Sequence, residues 1–236
     1  MKCFFDHHKS HNMDKLKSLV HFHRYNLLLF ALVLHLFSGL FFDNLAKFPV
    51  FLWMFNMFLL GITSMGIFAK KGKFHLSIRT VFLVFFMLIT ISIPSVNENP
   101  LYKTVLYLIY MIFFISVFWE ILKFLMYPSY INSHVISAAI CGYLLLIEIS
   151  TFLMMNYFNN NPHSFRPIDQ SSPMATFSDI VYYCAITLTS IGFGDIVPIN
   201  HQTKLFTALF GIIGQFYIVV LVGILISKFS SVAEKK

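Results

Sequence analysis

Thr189-Ser190-Ile191-Gly192-Phe193-Gly194-Asp195 is the stretch whose residue types and spacing point to chemistry. Two hydroxyl residues precede two glycines at alternate positions, and a carboxylate follows. That chemistry is the binding of a dehydrated cation by oxygen. Backbone carbonyls supply the oxygens without adding fixed charge. In an ordinary strand, successive carbonyls point to opposite sides. Aiming them at one axis needs alternating backbone conformations that include positive φ, which glycine adopts readily. Gly192 and Gly194 stand where such an alternation requires them, and Ser190 can add its hydroxyl as the innermost ligand. Five extended residues cover about 15 Å, roughly half the hydrocarbon thickness of a bilayer.

A lining of this kind must be held inside a membrane protein, because irregular backbone at membrane depth is tolerated only in protein or against water. The chain fits that demand. Its 236 residues are 58% hydrophobic and 11% charged, where a soluble domain carries roughly a quarter charged residues. Apolar runs read as spans at Tyr25–Phe42, Pro49–Ala69, Leu76–Pro94, Leu101–Met126, His134–Phe158 and Lys204–Phe229, joined by short links rich in turn formers. The predicted fold is all-α integral membrane with six spanning helices. Of the 17 Lys and Arg residues, only Lys47, Lys103, Arg166 and Lys204 fall outside if the N-terminus is cytoplasmic. This positive-inside bias places both termini in the cytoplasm and leaves a nucleic-acid partner without support. The three cysteines are scattered and imply no disulfide framework.

With that orientation, residues 159–203 leave and return to the outer face. Asn159 to Ala175 reads as an exposed outer loop. Phe177 to Leu188 is apolar but too short to span, and Thr176 followed by Asp179 predicts a helix start there. The expected arrangement is therefore a re-entrant half-helix and an irregular return between helices five and six. The C-terminal carbonyls of the half-helix would point inward and favour a cation.

These residues resemble the signature of tetrameric potassium channels, with Ser190 and Phe193 as in the ether-à-go-go-type filter. The resemblance is strongest over about residues 134–230. With the spans above it divides the chain into three expected parts: a cytoplasmic tail (1–24), a four-helix transmembrane region (25–133) that matches the family in helix number alone, and a pore domain (134–236). It also implies K+ ions held at Ser190, Ile191, Gly192 and Phe193, with Gly194 completing the filter, and no organic cofactor. Thr189, Asp195 and the aromatic pair Tyr182 and Tyr183 take supporting positions. Gly214 falls at the inner-helix hinge. Since one chain supplies one loop, a closed ring of oxygens needs a homotetramer. Phe193 lacks the hydroxyl of the commoner tyrosine, which removes one buttressing bond.

Other residues refine the expectation. Voltage sensing needs cations at every third residue of helix four, but Leu101–Met126 carries only Lys103, Glu120 and Lys123, so no intrinsic voltage gating is expected. Glu120 and Lys123 are one helical step apart and should pair. Glu148, mid-span in helix five, is either a carboxyl hydrogen-bonded to a neighbouring helix or a proton sensor. Ile218, Val222 and Ile226 fall at helical spacing and are candidates for an apolar inner gate, while Gly211 is assigned to packing. Asp169, Asp179 and Asp195 lie near the outer mouth, where repeated carboxylates concentrate cations. Cys3, His7, His8, His11, His21 and His23 have metal-ligand chemistry but lack a second paired motif, so the N-terminal segment reads as an interfacial tail open to a regulatory partner.

The function expected is passive, potassium-selective conduction in a cell membrane, with lipids as surroundings. The alternatives are a weakly selective cation channel or a cation-transporter subunit. Transporters usually show internal repeats, and here a single filter-like loop occurs. An enzyme is not expected, because no paired acid and base, metal-binding helix or nucleophile site is present in the sequence.

Overall fold

The computed structural model describes residues 24–41, 49–68, 99–126 and 133–233, and there the chain is almost wholly helical. The expected span Leu76–Pro94 and the His-rich N-terminal tail lie outside the described residues. In chain order come α1 (Arg24–Leu36), a short α2 (Ser38–Phe41) and α3 (Pro49–Phe68). They are followed by α4 (Pro100–Met126), α5 (Ser133–Asn160), β1 (Phe165–Arg166), α6 (Pro173–Leu188), β2 (Val197–Pro198) and α7 (His201–Ala233). Among the described residues, Pro100–Met126, Ser133–Asn160 and His201–Leu221 are long and apolar enough to cross a membrane. At 1.5 Å per residue, α4 and α5 are each about 40 Å long, whereas α6 reaches only about 24 Å and falls short of a bilayer's 30 Å core.

Burial ranks the helices. α5 is the central element, with 72% of its apolar window buried, while the corresponding window of α7 is 11% buried. α4 lies antiparallel to α5, its first residue tied by Asn159 Nδ2 donating to Pro100 O at 3.1 Å. The core between them is aromatic: Tyr110, Phe113, Phe114 and Phe152 are fully buried, Phe114 stacks on Phe152 and Tyr110 meets the same ring edge-on. Such pairs add directional attraction to area burial, which lets a phenylalanine-rich chain choose one packing. On α4, Lys123 pairs with Glu120 at 3.2 Å, as their spacing predicts.

α1 runs along both helices. At its start, Arg24 lies over the Tyr25 ring, Tyr25 stacks on Phe124 of α4, and Ser137 Oγ of α5 donates to Asn26 Oδ1 at 2.6 Å. Near its end, His35 Nδ1 meets Glu148 Oε1 at 2.6 Å, and both side chains are buried. The intramembrane carboxyl is thus bonded to a neighbouring helix. The histidine is boxed by the rings of Phe114, Phe152 and Phe177. His35 Nε2 and Glu148 Oε2 have no hydrogen-bond partner among the described residues.

Two expectations are corrected. The short helix begins at Pro173, not near Thr176: Ser172 is the N-cap, its hydroxyl accepts from Ala175 N, and Pro173 occupies the first turn, where a missing N–H costs nothing. Thr176 instead donates to Asp169 O at 2.8 Å, and Asp179 accepts from Asp169 N at 2.7 Å. Nor is Asn159–Ala175 exposed throughout. Ser164 and Phe165 are buried, and β1 pairs antiparallel with β2, Phe165 opposite Pro198.

Removing one member of a buried polar pair strands the other, which costs about 3–5 kcal/mol. Glu148→Ala should therefore lower stability by roughly that amount, whereas the paired change His35→Leu with Glu148→Met should cost much less. Thermal unfolding of the purified protein in detergent measures both.

Candidate functional site

α6 ends at Leu188, and the next four residues fold back on its last turn. Thr189 N donates to Ala185 O, Ser190 N to Thr187 O, and both Ile191 N and Gly192 N to Ile186 O, all between 2.9 and 3.1 Å. The Thr189 hydroxyl also reaches Ala185 O at 2.8 Å. These bonds satisfy carbonyls that a helix end otherwise leaves open. They qualify the expectation that those carbonyls face a cation, since three of them are already engaged by the following segment.

Three consecutive N–H groups turned to one side is not strand geometry. The backbone explains it: φ is +59° at Ser190, +56° at Gly192 and +78° at Gly194. Positive φ recurs at every second residue. Because C=O and N–H of a planar peptide point in opposite directions, the carbonyls of Thr189, Ser190 and Ile191 turn away from α6. Every residue of Thr189–Asp195 is exposed in the single chain, with Phe193 at 71% and Ile191 at 56%. Glycine at 192 and 194 meets the positive φ without a Cβ penalty. Ser190 does so with a side chain, and the sequence pattern gave no sign of it.

Of the residues expected in supporting positions, Tyr182 and Asp195 touch one another. Tyr182 OH donates to Asp195 Oδ2 at 2.6 Å, bracing the segment's C-terminal end against α6. That bond holds the Asp195 carboxyl below the usual carboxylate range, with Ile196 N–H lowering it further. Asp169 is lowered in the same direction by the Ser171 backbone N–H. Tyr183 points elsewhere: its hydroxyl pairs with Thr207 Oγ1 of α7. Thr207 donates its own proton to Thr203 O at 2.6 Å, so Tyr183 is the donor. Asp195 leads into β2, and the loop before α6 is anchored by Ser164, whose carbonyl accepts from Ile199 N at 2.8 Å and whose hydroxyl accepts from Asn200 Nδ2 at 3.0 Å.

α7 passes closest to the site at Gly214. A Cβ there would stand 2.7 Å from Leu188 O and 3.2 Å from Leu188 Cα, while one at Gly211 would only graze Thr187 at 4.0 Å. The close packing belongs to Gly214, not to Gly211 as expected. Next to it, Gln215 Nε2 donates to Ser190 Oγ at 2.5 Å, a contact that sequence reasoning missed. Ile218 is exposed on the same helix. The side chains of Val222 and Ile226 lie outside the described residues. Glu148 does not reach the filter-like segment. It bonds His35, whose ring meets Phe177 in the first turns of α6.

Two outcomes follow. Asp195, depressed by its Tyr182 bond, binds its proton only as pH falls below the ordinary range. In Tyr182→Phe the proton should bind at higher pH, toward the usual value near about 3.9, as a site-resolved infrared or NMR titration will show. Gly214→Ala should cost about 1–3 kcal/mol through overpacking against backbone, with Gly211→Ala near neutral in the same thermal unfolding assay.

Residues 135–231 match the family model described as "Ion channel". The matched segment runs from α5 through α6 and the filter-like return into α7. Among curated proteins of Arabidopsis thaliana, two-pore potassium channel 3 is 31% identical over 84 residues, 36% of this chain and 18% of that protein. Two-pore potassium channel 5 is 30% identical over 87 residues, 37% of this chain and 19% of that protein. The chain thus spans less than a fifth of these relatives' length. No solved structure matches it. Over the segment that carries the site, the chain is similar to ion channels, and its long apolar helices make it an integral membrane protein.

Proposed function

We propose that the chain is one subunit of a homotetrameric, potassium-selective channel that conducts passively and is not intrinsically gated by voltage. The observation that carries this reading is the alternation of positive φ at Ser190, Gly192 and Gly194, with the intervening amides tied to the end of α6. Amides on one side leave carbonyl oxygens on the other, as a cation that sheds its water requires. K+ would be held by oxygens of Ser190, Ile191, Gly192 and Phe193, with Asp195 and Tyr182 holding the outer end. The relatives named as potassium channels support potassium as the ion.

Two further features support the assembly. A single carbonyl column cannot surround an ion, and fourfold repetition about one axis closes the ring. α7 also presents Leu205, Leu209, Ile212, Phe216 and Val219 as exposed large apolar side chains. Their spacing of four and three residues is that of a helix seam awaiting other helices. In this reading Gly214 is the pivot of α7, and Ile218 lines the inner end of the path. α4 carries too few cations for a voltage sensor: Lys103, and Lys123 paired with Glu120.

The test is the reversal potential of the purified protein in planar bilayers under K+ and Na+ gradients. It should follow the K+ gradient by about 59 mV per tenfold change, the one-electron-charge slope, and show no steep opening with depolarisation. A reversal potential that follows both cations equally would establish the weakly selective alternative. Transport that saturates and couples to a second solute would establish a transporter subunit.

A further inference from the structure

We propose that Gln215 is a positioning residue for the innermost cation site. It acts through the hydroxyl of Ser190, and this rests on the channel reading above. The starting point is a polar side chain in an unfavourable place. From Ala208 to Leu221, α7 is otherwise apolar apart from glycine and Tyr217, and Tyr217 is committed to Ala139 O at 2.8 Å. An amide at membrane depth is costly unless it is bonded or faces water. Gln215 is exposed in the single chain and directs Nε2 onto Ser190 Oγ at 2.5 Å.

Donor and acceptor roles give the contact its consequence. An amide nitrogen only donates, so Ser190 Oγ accepts. A hydroxyl oxygen has two acceptor positions; Gln215 takes one, which holds Oγ in place and leaves the second for a cation. Ser190 is also the residue that holds positive φ without being glycine, and the bond to Gln215 restrains the side chain that this backbone carries. The register is set next door, because Gly214 lies against the Leu188 backbone and Gln215 therefore meets Ser190 at a fixed height on α7. A dehydrated cation at the inner end of the filter gains from an oxygen that is already oriented when it arrives. Gln215 would supply that orientation without touching the ion.

Barium ion, applied from the cytoplasmic side, is the probe. Block of K+ current and equilibrium Ba2+ binding to the purified protein are compared in wild type, Gln215→Leu, Ser190→Ala and the double variant. Removing one uncharged hydrogen bond should weaken inner-site Ba2+ affinity by roughly three- to tenfold. Ser190→Ala, which removes the oxygen itself, should lose at least as much, and the double variant should be no worse than Ser190→Ala alone. Gln215→Asn keeps the amide but is one methylene too short for Ser190, so it should behave like Gln215→Leu and serves in its place if the leucine variant does not assemble. Two results would overturn the proposal: Gln215 variants with wild-type Ba2+ affinity, or losses at the two positions that multiply independently. Wild-type Ba2+ affinity in Gln215→Asn alone would also overturn it, by showing that polarity and not reach matters. A wild type that carries no K+-selective current sinks the channel reading itself, whereas a conducting wild type with insensitive variants sinks only this inference.

Discussion

The close approach of α7 to the end of α6 is the constraint on which the site's geometry depends. At Gly214 two backbones meet with no room for a Cβ, so the helices are fixed in both distance and register. Thr203 lies three helical turns before it and is fully buried, its hydroxyl within reach of Ser164 O. One turn further along, Thr207 takes the Tyr183 hydroxyl. Positions 203, 207 and 214 share one helical face, and each fastens a different part of the loop, helix and return to the same rod. Gln215 then falls opposite Ser190 because Gly214 is where it is. The opposite face of α7, from Leu205 to Val219, is left apolar and uncovered in the single chain.

The second element of the site is the capping of α6 by the segment that follows it. A helix of 16 residues buried among others leaves its last carbonyls in need of donors. Thr189 to Gly192 provide them, and in doing so lose the alternation of an ordinary strand. Helix capping and one-sided carbonyl display are therefore the same event. The positive φ values are its geometric condition, Tyr182 on Asp195 ties its C-terminal end, and Gln215 on Ser190 ties its N-terminal end.

Much of this was legible because it is written in residue types with few alternative uses. Two glycines one residue apart predicted the backbone of the return. The apolar run ending at Leu188 predicts a helix too short to span, and Tyr182 and Asp195, which stand on either side of the glycines, touch. Less legible was whatever depended on which partner a common residue finds. Ser172 with Pro173 is a stronger helix start than Thr176 with Asp179, since proline at the first turn is preset for it. His35 stands alone in an apolar span, the one mark in the sequence of a partner for Glu148. Gln215 carries the same mark in α7. Gly211 and Gly214 are indistinguishable by type, and only the path of Leu188 separates them. Ser190's positive φ has no sequence signature at all, because serine does not ordinarily need it.

The two unmatched surfaces of the single chain belong together physically. On one side of the return the amides are satisfied by α6, while the carbonyls on the other side meet nothing in the described residues. At membrane depth such carbonyls must find water, cations or protein. Across from them, the seam on α7 exposes large apolar side chains in a regular row. Covering that seam with copies of the same helix would bring the carbonyl columns around a common axis, as the proposed assembly requires. Tilting α7 about Gly214 would strain the seam and the Gln215–Ser190 bond at once. In such an assembly, packing between subunits and the shape of the innermost oxygen site would not be independent variables. A change in how the helices pack would be read at Ser190 first.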